Sequence, residues 1–354
     1  MYYRENGQFK VSYRADEQVF PILQDRAAMI GLLVFAFVAV PFIASDYLFL
    51  AIIIPWLILA LAAIGLNLLV GYCGQISLGA GAMMGAGAYA AYNLVIRVPD
   101  LNFIVVLALA GIAAAAVGML FGIPSLRIKG LYLAVATLAA QFFLDWTFGR
   151  VKWLVNYNSS GVAAPPTVEM FGWRIDQPVE QYLFLLAIVV VMALMAKNLV
   201  RSQMGRAWMA MRDMDVAAEV IGIRPMHAKL TAFAVSSFYL GVAGALWGFV
   251  RLGSWEPAAF NIDLSLLLLF MIIIGGLGSI LGGFLGAAFM TILPIVLTQL
   301  PSWLGINIST ATISHVQHMI FGALIVFFLI AEPHGLARLW SIGKEKLRLW
   351  PFPH

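Results

Sequence analysis

Charged side chains that could do chemical or mechanical work are concentrated in one stretch of this chain, residues 204–230. The whole sequence is only 11% charged, yet this stretch contains Arg206, Arg212, Asp213, Asp215, Glu219, Arg224, His227 and Lys229. If the stretch is one helix, its small and methionine side chains recur at helical spacing and form an apolar stripe: Ala207, Ala210, Met211, Met214, Ala217, Ala218 and Ile221. We expect that helix to end near Gly222, ahead of Pro225.

A helix with one apolar face and one charged face has two common uses. It binds in a groove of another protein, or it lies flat in the headgroup layer of a membrane. The residues of this stretch leave both possibilities open.

Motifs for catalysis are absent from the sequence. The Gly-Lys pair at Gly343 and Lys344 is followed by Glu345, whereas a phosphate-binding P-loop requires Ser or Thr there. There is no Gly-x-Ser-x-Gly elbow and no His-Glu-x-x-His pair. His315 and His318 have no acidic or cysteine neighbours, which favours an interfacial hydrogen-bonded pair over a metal site. We therefore expect no catalytic residue, and no metal or cofactor bound by this chain.

The elements that carry these residues are predicted to be membrane-spanning helices. Mean hydropathy is +0.94, and 62% of the residues are hydrophobic. Apolar runs recur at about the twenty-residue length that a bilayer demands. They predict an all-α polytopic membrane protein with about ten spans: 27–44, 48–70, 76–96, 103–123, 130–148, 182–196, 231–250, 264–281, 282–300 and 315–331.

The distribution of basic residues predicts that both termini are cytoplasmic. With that orientation, 16 of the 21 Lys and Arg residues lie inside, and the outside ones are Arg97, Arg150, Lys152, Arg174 and Arg251. The predicted organisation is an inside amino-terminal segment (1–26), a membrane domain (27–331) and an inside carboxyl-terminal tail (332–354). The membrane domain has a long inside loop at 197–229 and a long outside loop at 149–181. The net charge of +4 then reflects topology and anionic lipid rather than nucleic-acid binding.

The predicted spans contain no carboxylate or histidine near their centres. Transporters driven by protons or sodium usually retain such groups because a charge at mid-membrane is costly. The sequence therefore favours either a passive conduit or a protein powered by a partner.

Two glycine-rich regions, 71–81 and 275–283, are dense enough in glycine to interrupt helices. Transporters use such interruptions to present backbone groups to a substrate, so we expect these regions and nearby polar side chains to line a pathway. The candidates are Asn67, Gln75, Ser77, Gly79, Gly81, Gly275, Gly276, Gly278 and Ser279. The alternative for each residue, and for glycine pairs such as Gly244 and Gly248, is close helix packing.

Three separated motifs resemble one family. They are GLNLLVGYCGQISLGAGAMMGAGAYAA from residue 65, GVAGAL from residue 241 and IIGGLGSILGGFLGA from residue 273. Together they resemble the LivM-type permease subunit of branched-chain amino acid importers. GRAWMAMRD from residue 205 and AAEVIGI from residue 217 resemble the cytoplasmic coupling loop of ATP-binding-cassette importers, although the strict motif has its Glu before the two alanines. The resemblance covers about residues 27–331.

The resemblance implies a non-catalytic subunit of an importer in the bacterial inner membrane. Its partners would be a LivH-type permease, two cytoplasmic ATPases that bind ATP and Mg, and a periplasmic binding protein. The implied ATPase contacts are Gly205, Arg206, Arg212, Asp213, Ala217, Ala218, Glu219 and Gly222.

Several alternatives stay open at this point. The cargo could be urea, an amide or an aromatic acid instead of a branched-chain amino acid. A protein of another class, an ATP-independent facilitator or channel, would also fit the composition, and a membrane enzyme fits it less well. Aromatic residues of the outside loop, including Trp153 and Trp173, suit either binding-protein docking or an interfacial aromatic belt.

Overall fold

The computed structural model describes residues 11–12, 23–98, 101–125, 131–157, 169–170, 173–174, 177–303, 310–332 and 334–349. The first five helices come before a small hairpin. They are α1 (Leu23–Val34, continued by π-helical Phe35–Ala39 and α-helical Val40–Ile43), α2 (Asp46–Tyr72, with π-helical Phe49–Ile53 and Leu68–Tyr72), α3 (Ala80–Arg97), α4 (Phe103–Ser125) and α5 (Leu131–Arg150). The hairpin pairs β1 (Glu169–Met170) antiparallel with β2 (Trp173–Arg174).

The remaining helices follow the hairpin. They are α6 (Pro178–Arg201), α7 (Gln203–Asp213), α8 (Asp215–Val220), α9 (Pro225–Leu246, continued by π-helical Trp247–Leu252), α10 (Ile262–Gly275), α11 (Ile280–Trp303), α12 (Thr310–Ala331) and α13 (Gly335–Leu349). A short 3₁₀ helix, Pro257–Phe260, precedes α10.

Seven helical stretches of the described chain are long and apolar enough to cross a membrane. They are Asp25–Ile43, Asp46–Tyr72, Phe103–Ile123, Pro178–Arg201, Pro225–Leu252, Pro257–Gly275 and Ile280–Gln299. The prediction of an all-α polytopic membrane protein is therefore confirmed. Helices α3, α5 and α12 overlap the other three predicted spans, and the total of ten stays a prediction, as does the orientation of the termini.

Helix α9 lies at the centre of the bundle, where it packs on α4, α3 and α2. Glycine makes this packing close. A Cβ at Gly244 would overlap the backbone of Met84, and a Cβ at Gly118 would overlap the hydroxyl of Ser237. The predicted role of the paired glycines as helix-packing residues is confirmed at these two positions.

The prediction of one continuous helix from residue 204 to near Gly222 is wrong. Helix α7 ends at Asp213, and Met214 is extended, with φ −159° and ψ 98°. Tertiary contacts explain the break. The end of α7 is held against α2, as described below, and α8 is a separate short helix that buries Ala218. The predicted stripe is consequently split, because Met211 and Ala218 are buried whereas Met214 and Ile221 are exposed.

The carboxyl-terminal segment 335–349 is helix α13, packed against α10 and α11. Its first residue, Gly335, lies so close to Gly276 that a Cβ would come within 2.6 Å of the Gly276 nitrogen. Farther along, the Lys344 ammonium lies 2.7 Å from a carboxylate oxygen of Asp25 in α1.

Candidate coupling and transport site

Two interruptions in the helices form the centre of the site. The first unwound segment, residues 73–79, separates α2 from α3, and the second unwound segment, residues 276–279, separates α10 from α11. Left-handed backbone at Gly74 (φ 72°), Gly276 (φ 120°) and Gly278 (φ 74°) explains why glycine is needed there. The prediction that both glycine-rich regions interrupt helices is confirmed.

Asn67 joins the end of α2 to the second unwound segment. Its amide nitrogen donates to the carbonyls of Ser279 (2.8 Å) and Gly276 (3.3 Å), and its amide oxygen accepts from the Gly278 N–H at 2.9 Å. Only 1% of Asn67 is exposed. Asn67 therefore satisfies backbone groups that the interrupted helix leaves unpaired.

Arg212, at the end of α7, attaches the loop 197–229, which is predicted to be cytoplasmic and is called here the inside loop, to the same place. One guanidinium nitrogen donates to the Gly71 carbonyl at 2.9 Å, and Nε donates to Asp213 at 2.9 Å. Gly71 allows no side chain there, because a Cβ would overlap the amide oxygen of Asn67 and the nitrogen of Gly278. The inside loop and both unwound segments thus meet at one point.

The first unwound segment runs along α10 towards the middle of the bundle. Gly71 lies beside Gly278, just beyond the end of α10, whereas the Gly81 N–H donates to the hydroxyl of Ser265 near the start of α10 at 2.7 Å. The ten residues from Ser265 to Gly275 correspond to about 15 Å of helix. Helix α3 therefore begins part-way across the bundle.

The amino-terminal N–H groups of α3 are satisfied by neutral side chains. The Gln141 carbonyl oxygen accepts from the Ala82 N–H and from the Ser265 hydroxyl, each at 2.8 Å. Thr137 accepts from the Leu78 N–H at 2.9 Å. An anion at this helix terminus would have to displace these groups, so the start of α3 is not an open anion site.

Sequence reasoning missed Thr137, Gln141 and Ser265. Thr137 and Gln141 are spaced i and i+4 in the middle of a largely apolar predicted span, and this spacing was the available signal. Ser265 gave no such signal in the sequence, because it lies 124 residues away from its partner Gln141.

The other predicted pathway residues lie in or beside the unwound segments. Gln75 donates to the Cys73 carbonyl at 3.4 Å, and the Ser279 hydroxyl accepts from the Gly282 N–H at 3.1 Å. Ser77 and Gly79 are buried around a void of about 10 Å³ that Ser236 and Ser237 also line. The Ser236 hydroxyl has no protein partner in the described chain, and this void is close to the size of one water molecule.

The predicted coupling residues divide into an inward set and an outward set. Gly205 and Ala218 are buried, and a Cβ at Gly205 would overlap the backbone of Val200. Arg206, Ala217, Glu219 and Gly222 are exposed. The outer surface beside them is an apolar patch, called here the outer patch, formed by Met214, Val216, Val220 and Ile221, each more than 60% exposed.

A larger cavity of about 350 Å³ lies between the inside loop and the first unwound segment. It is lined by Gly74, Gln75, Ile76, Leu133, Met211, Arg212, Asp213, Met214, Asp215 and Lys229. The cavity joins α7, α8 and α9 to the first unwound segment.

The loop 149–181, which is predicted to lie outside, is described in part. The Arg97 guanidinium lies over the Trp153 ring at 3.8 Å and donates to its carbonyl at 3.1 Å. Other residues of the same loop, among them Asn158, Pro165, Pro166 and Phe171, lie outside the described residues, and its predicted use in docking or in an aromatic belt stays a prediction.

Helices that can span a membrane, interrupted helices joined inside the bundle and an amphipathic loop attached to them define a multi-pass membrane protein of transporter type. Residues 27–329 match the family described as branched-chain amino acid transport system, permease component. The chain belongs to that family.

Curated relatives agree with this assignment. The chain is 30% identical over 348 residues to the high-affinity branched-chain amino acid transport system permease protein LivM of Escherichia coli K12, covering 89% of this chain and 75% of that protein. It is 28% identical to the LivM protein of Salmonella typhimurium, covering 79% and 68%. It is also 27% identical to the autoinducer 2 import system permease protein LsrC of an Enterobacter strain, over 56% of each chain. No solved structure matches the chain.

Proposed function

We propose that this chain is the membrane-spanning permease subunit of an ATP-binding-cassette importer that moves branched-chain or related small amino acids into the cytoplasm. In this proposal the chain lies in the bacterial inner membrane and has no catalytic activity of its own. A LivH-type permease pairs with it, two ATPases bind ATP and Mg, and a periplasmic binding protein delivers the cargo.

The main support for the proposal is that α7 is attached to the interrupted helices, in a chain that belongs to this permease family. Arg212 donates to the Gly71 carbonyl, and Gly71 packs on Gly278. A displacement of α7 by a partner would therefore be transmitted directly to both unwound segments. Rigid-body movements of this kind are a common way to couple binding at one site to opening at another.

The outer patch is the proposed binding surface for an ATPase subunit. Its four apolar side chains are exposed along α8, from Met214 just before that helix to Ile221 just after it. Arg206, Asp213, Ala217, Glu219 and Gly222 surround it as the proposed polar and small contacts, while Gly205, Arg212 and Ala218 hold the loop on its own bundle. Exposed apolar side chains within a charged surface are typical of protein interaction sites.

The proposed pathway passes the two unwound segments. Gln75, Ser77, Gly79 and Ser279 offer hydroxyl, amide and backbone groups to a zwitterion. No described residue donates a hydrogen bond to the backbone carbonyls of residues 74–78. Asn67, Gly81, Gly275, Gly276 and Gly278 have the proposed role of shaping the segments through packing and hydrogen bonds.

Reconstituted transport tests the proposal. Proteoliposomes would contain this chain with its partner permease and ATPases, and leucine uptake would be measured with and without ATP and the binding protein. The proposal expects uptake only when all components are present. Robust ATP-independent leucine flux by this chain alone would instead identify a facilitator.

Cargo competition tests the amino-acid assignment separately. An excess of isoleucine or valine should suppress leucine uptake, whereas urea should not. Because some relatives are named as autoinducer 2 import permeases, a non-amino-acid competitor is a necessary control. Suppression by urea, or by autoinducer 2 alone, would contradict the assignment.

A further inference from the structure

Lys229 is the most unusual charge in the described chain. It lies near the start of α9 and is only 5% exposed. No described atom forms a hydrogen bond or an ion pair with its ammonium, which is not among the fully buried atoms that lack a partner and is accessible from the cavity that Lys229 lines. Its charge lies near the buried thiol of Cys73, where it opposes the rise in pKa that burial causes.

The cavity of about 350 Å³ contains this cation in its lining. That volume is within the range of small-molecule sites. Four charged residues line it, two cationic and two anionic: Arg212, Lys229, Asp213 and Asp215. Arg212 and Asp213 pair with each other at 2.9 Å, and the four formal charges cancel. The remaining wall includes apolar side chains from three parts of the fold: Ile76, Leu133, Met211 and Met214.

We propose that this cavity binds a free amino acid with an aliphatic side chain. Lys229 would hold the carboxylate, the Asp213 and Asp215 side of the cavity would attract the ammonium, and Leu133 with Met211 would contact the side chain. The balanced charges favour a zwitterion over a phosphate, whose two negative charges would face two carboxylates. The apolar wall favours leucine-like side chains over polar ones.

A ligand in this cavity would touch the first unwound segment and α7 at the same time. It would hold the two together next to the bond between Arg212 and Gly71, and so resist their separation. Its role in slowing import when cytoplasmic amino acid accumulates rests on the proposed function. Binding itself does not, because the cavity is formed by this chain alone.

Calorimetric titration of the protein in nanodiscs, with any co-purifying subunits and without ATP, tests the binding. We expect L-leucine to bind, and propionate, butylamine and inorganic phosphate to bind more weakly. Lys229→Met should weaken leucine binding about tenfold or more, because it removes a charge-assisted hydrogen bond. Ile76→Trp should weaken it by filling the cavity, whereas Lys346→Met, which removes an exposed cation from α13, should not.

Cysteine protection locates the ligand. Met214 lines the cavity and is 65% exposed, so a maleimide should label Met214→Cys, and leucine should slow the labelling. Unchanged leucine affinity in Lys229→Met, or labelling that leucine does not slow, would overturn the inference. Leucine protection in a protein that shows no ATP-driven uptake would refute the proposed function and leave the inference standing.

Discussion

The guanidinium of Arg212 donates a 2.9 Å hydrogen bond to the backbone carbonyl of Gly71, across 141 residues of sequence. It attaches the last turn of α7 to the end of α2, where that helix stops. A side chain of the inside loop thus contacts the interrupted part of the bundle directly.

Arg212→Gln should uncouple ATP hydrolysis from transport. Glutamine removes the charge-assisted bond to Gly71, which is worth about 1.5–3 kcal/mol, so we expect about tenfold to hundredfold more ATP hydrolysed per leucine imported. The measurement is the ratio of the two rates in proteoliposomes. Arg224→Gln, which removes an exposed cation from the same loop, is the control. An unchanged ratio in Arg212→Gln would show that the Gly71 bond does not transmit movement.

Asn67→Ala should destabilise the folded bundle. Three hydrogen bonds of a buried side chain are lost, and each backbone group left unpaired in a buried place costs about 1–3 kcal/mol. The melting temperature of the purified protein in nanodiscs should fall clearly. Asn102→Ala removes one exposed hydrogen bond and should lower it much less. Equal melting temperatures for the two variants would contradict the bridging role of Asn67.

Val220→Asp should weaken association with the ATPase subunits without unfolding the permease. Val220 is 82% exposed in the outer patch, so a carboxylate there stays hydrated until a partner covers it. Affinity between detergent-solubilised subunits is the measurement, and Val220→Thr, which keeps the shape, is the control. Normal association of Val220→Asp would exclude the outer patch as the contact.

Ala218→Asp should behave differently. Ala218 is only 2% exposed and faces its own bundle, so a carboxylate there is buried within the permease itself. We expect a lower melting temperature even when no ATPase is present. A melting temperature equal to that of the unmodified protein would contradict the buried placement of Ala218.

Thiol labelling should report the orientation of the inside loop. Burial raises the pKa of Cys73 to about 12 from an ordinary value of 9.0, which leaves about a thousandfold less thiolate at neutral pH. The native cysteine should therefore stay unlabelled, while an impermeant maleimide labels Val220→Cys in inside-out vesicles. Labelling of Val220→Cys in intact spheroplasts would reverse the predicted orientation.

Hydropathy and glycine density predicted the spans and the interruptions because both depend on local sequence. The break at Met214 was not predictable in this way, since no glycine or proline marks it and the apolar spacing continues across it. The contact between Gln141 and Ser265 depends on two distant spans meeting, and local spacing carries no information about that. Asn67 was identified as a candidate because it precedes a glycine-rich region, although its partners emerged only from the fold.

The path of residues 73–79 through the bundle affects the polarity of the surroundings that a polar solute would meet there. This non-helical chain lies beside a membrane-capable helix for about 15 Å, roughly half of the ~30 Å hydrocarbon thickness. Irregular backbone at such depth persists only where protein or water surrounds it. Protein surrounds Cys73, Ser77 and Gly79 of this segment, so a conformational change that parts the bundle there would uncover polar backbone groups inside the membrane domain rather than at its surface.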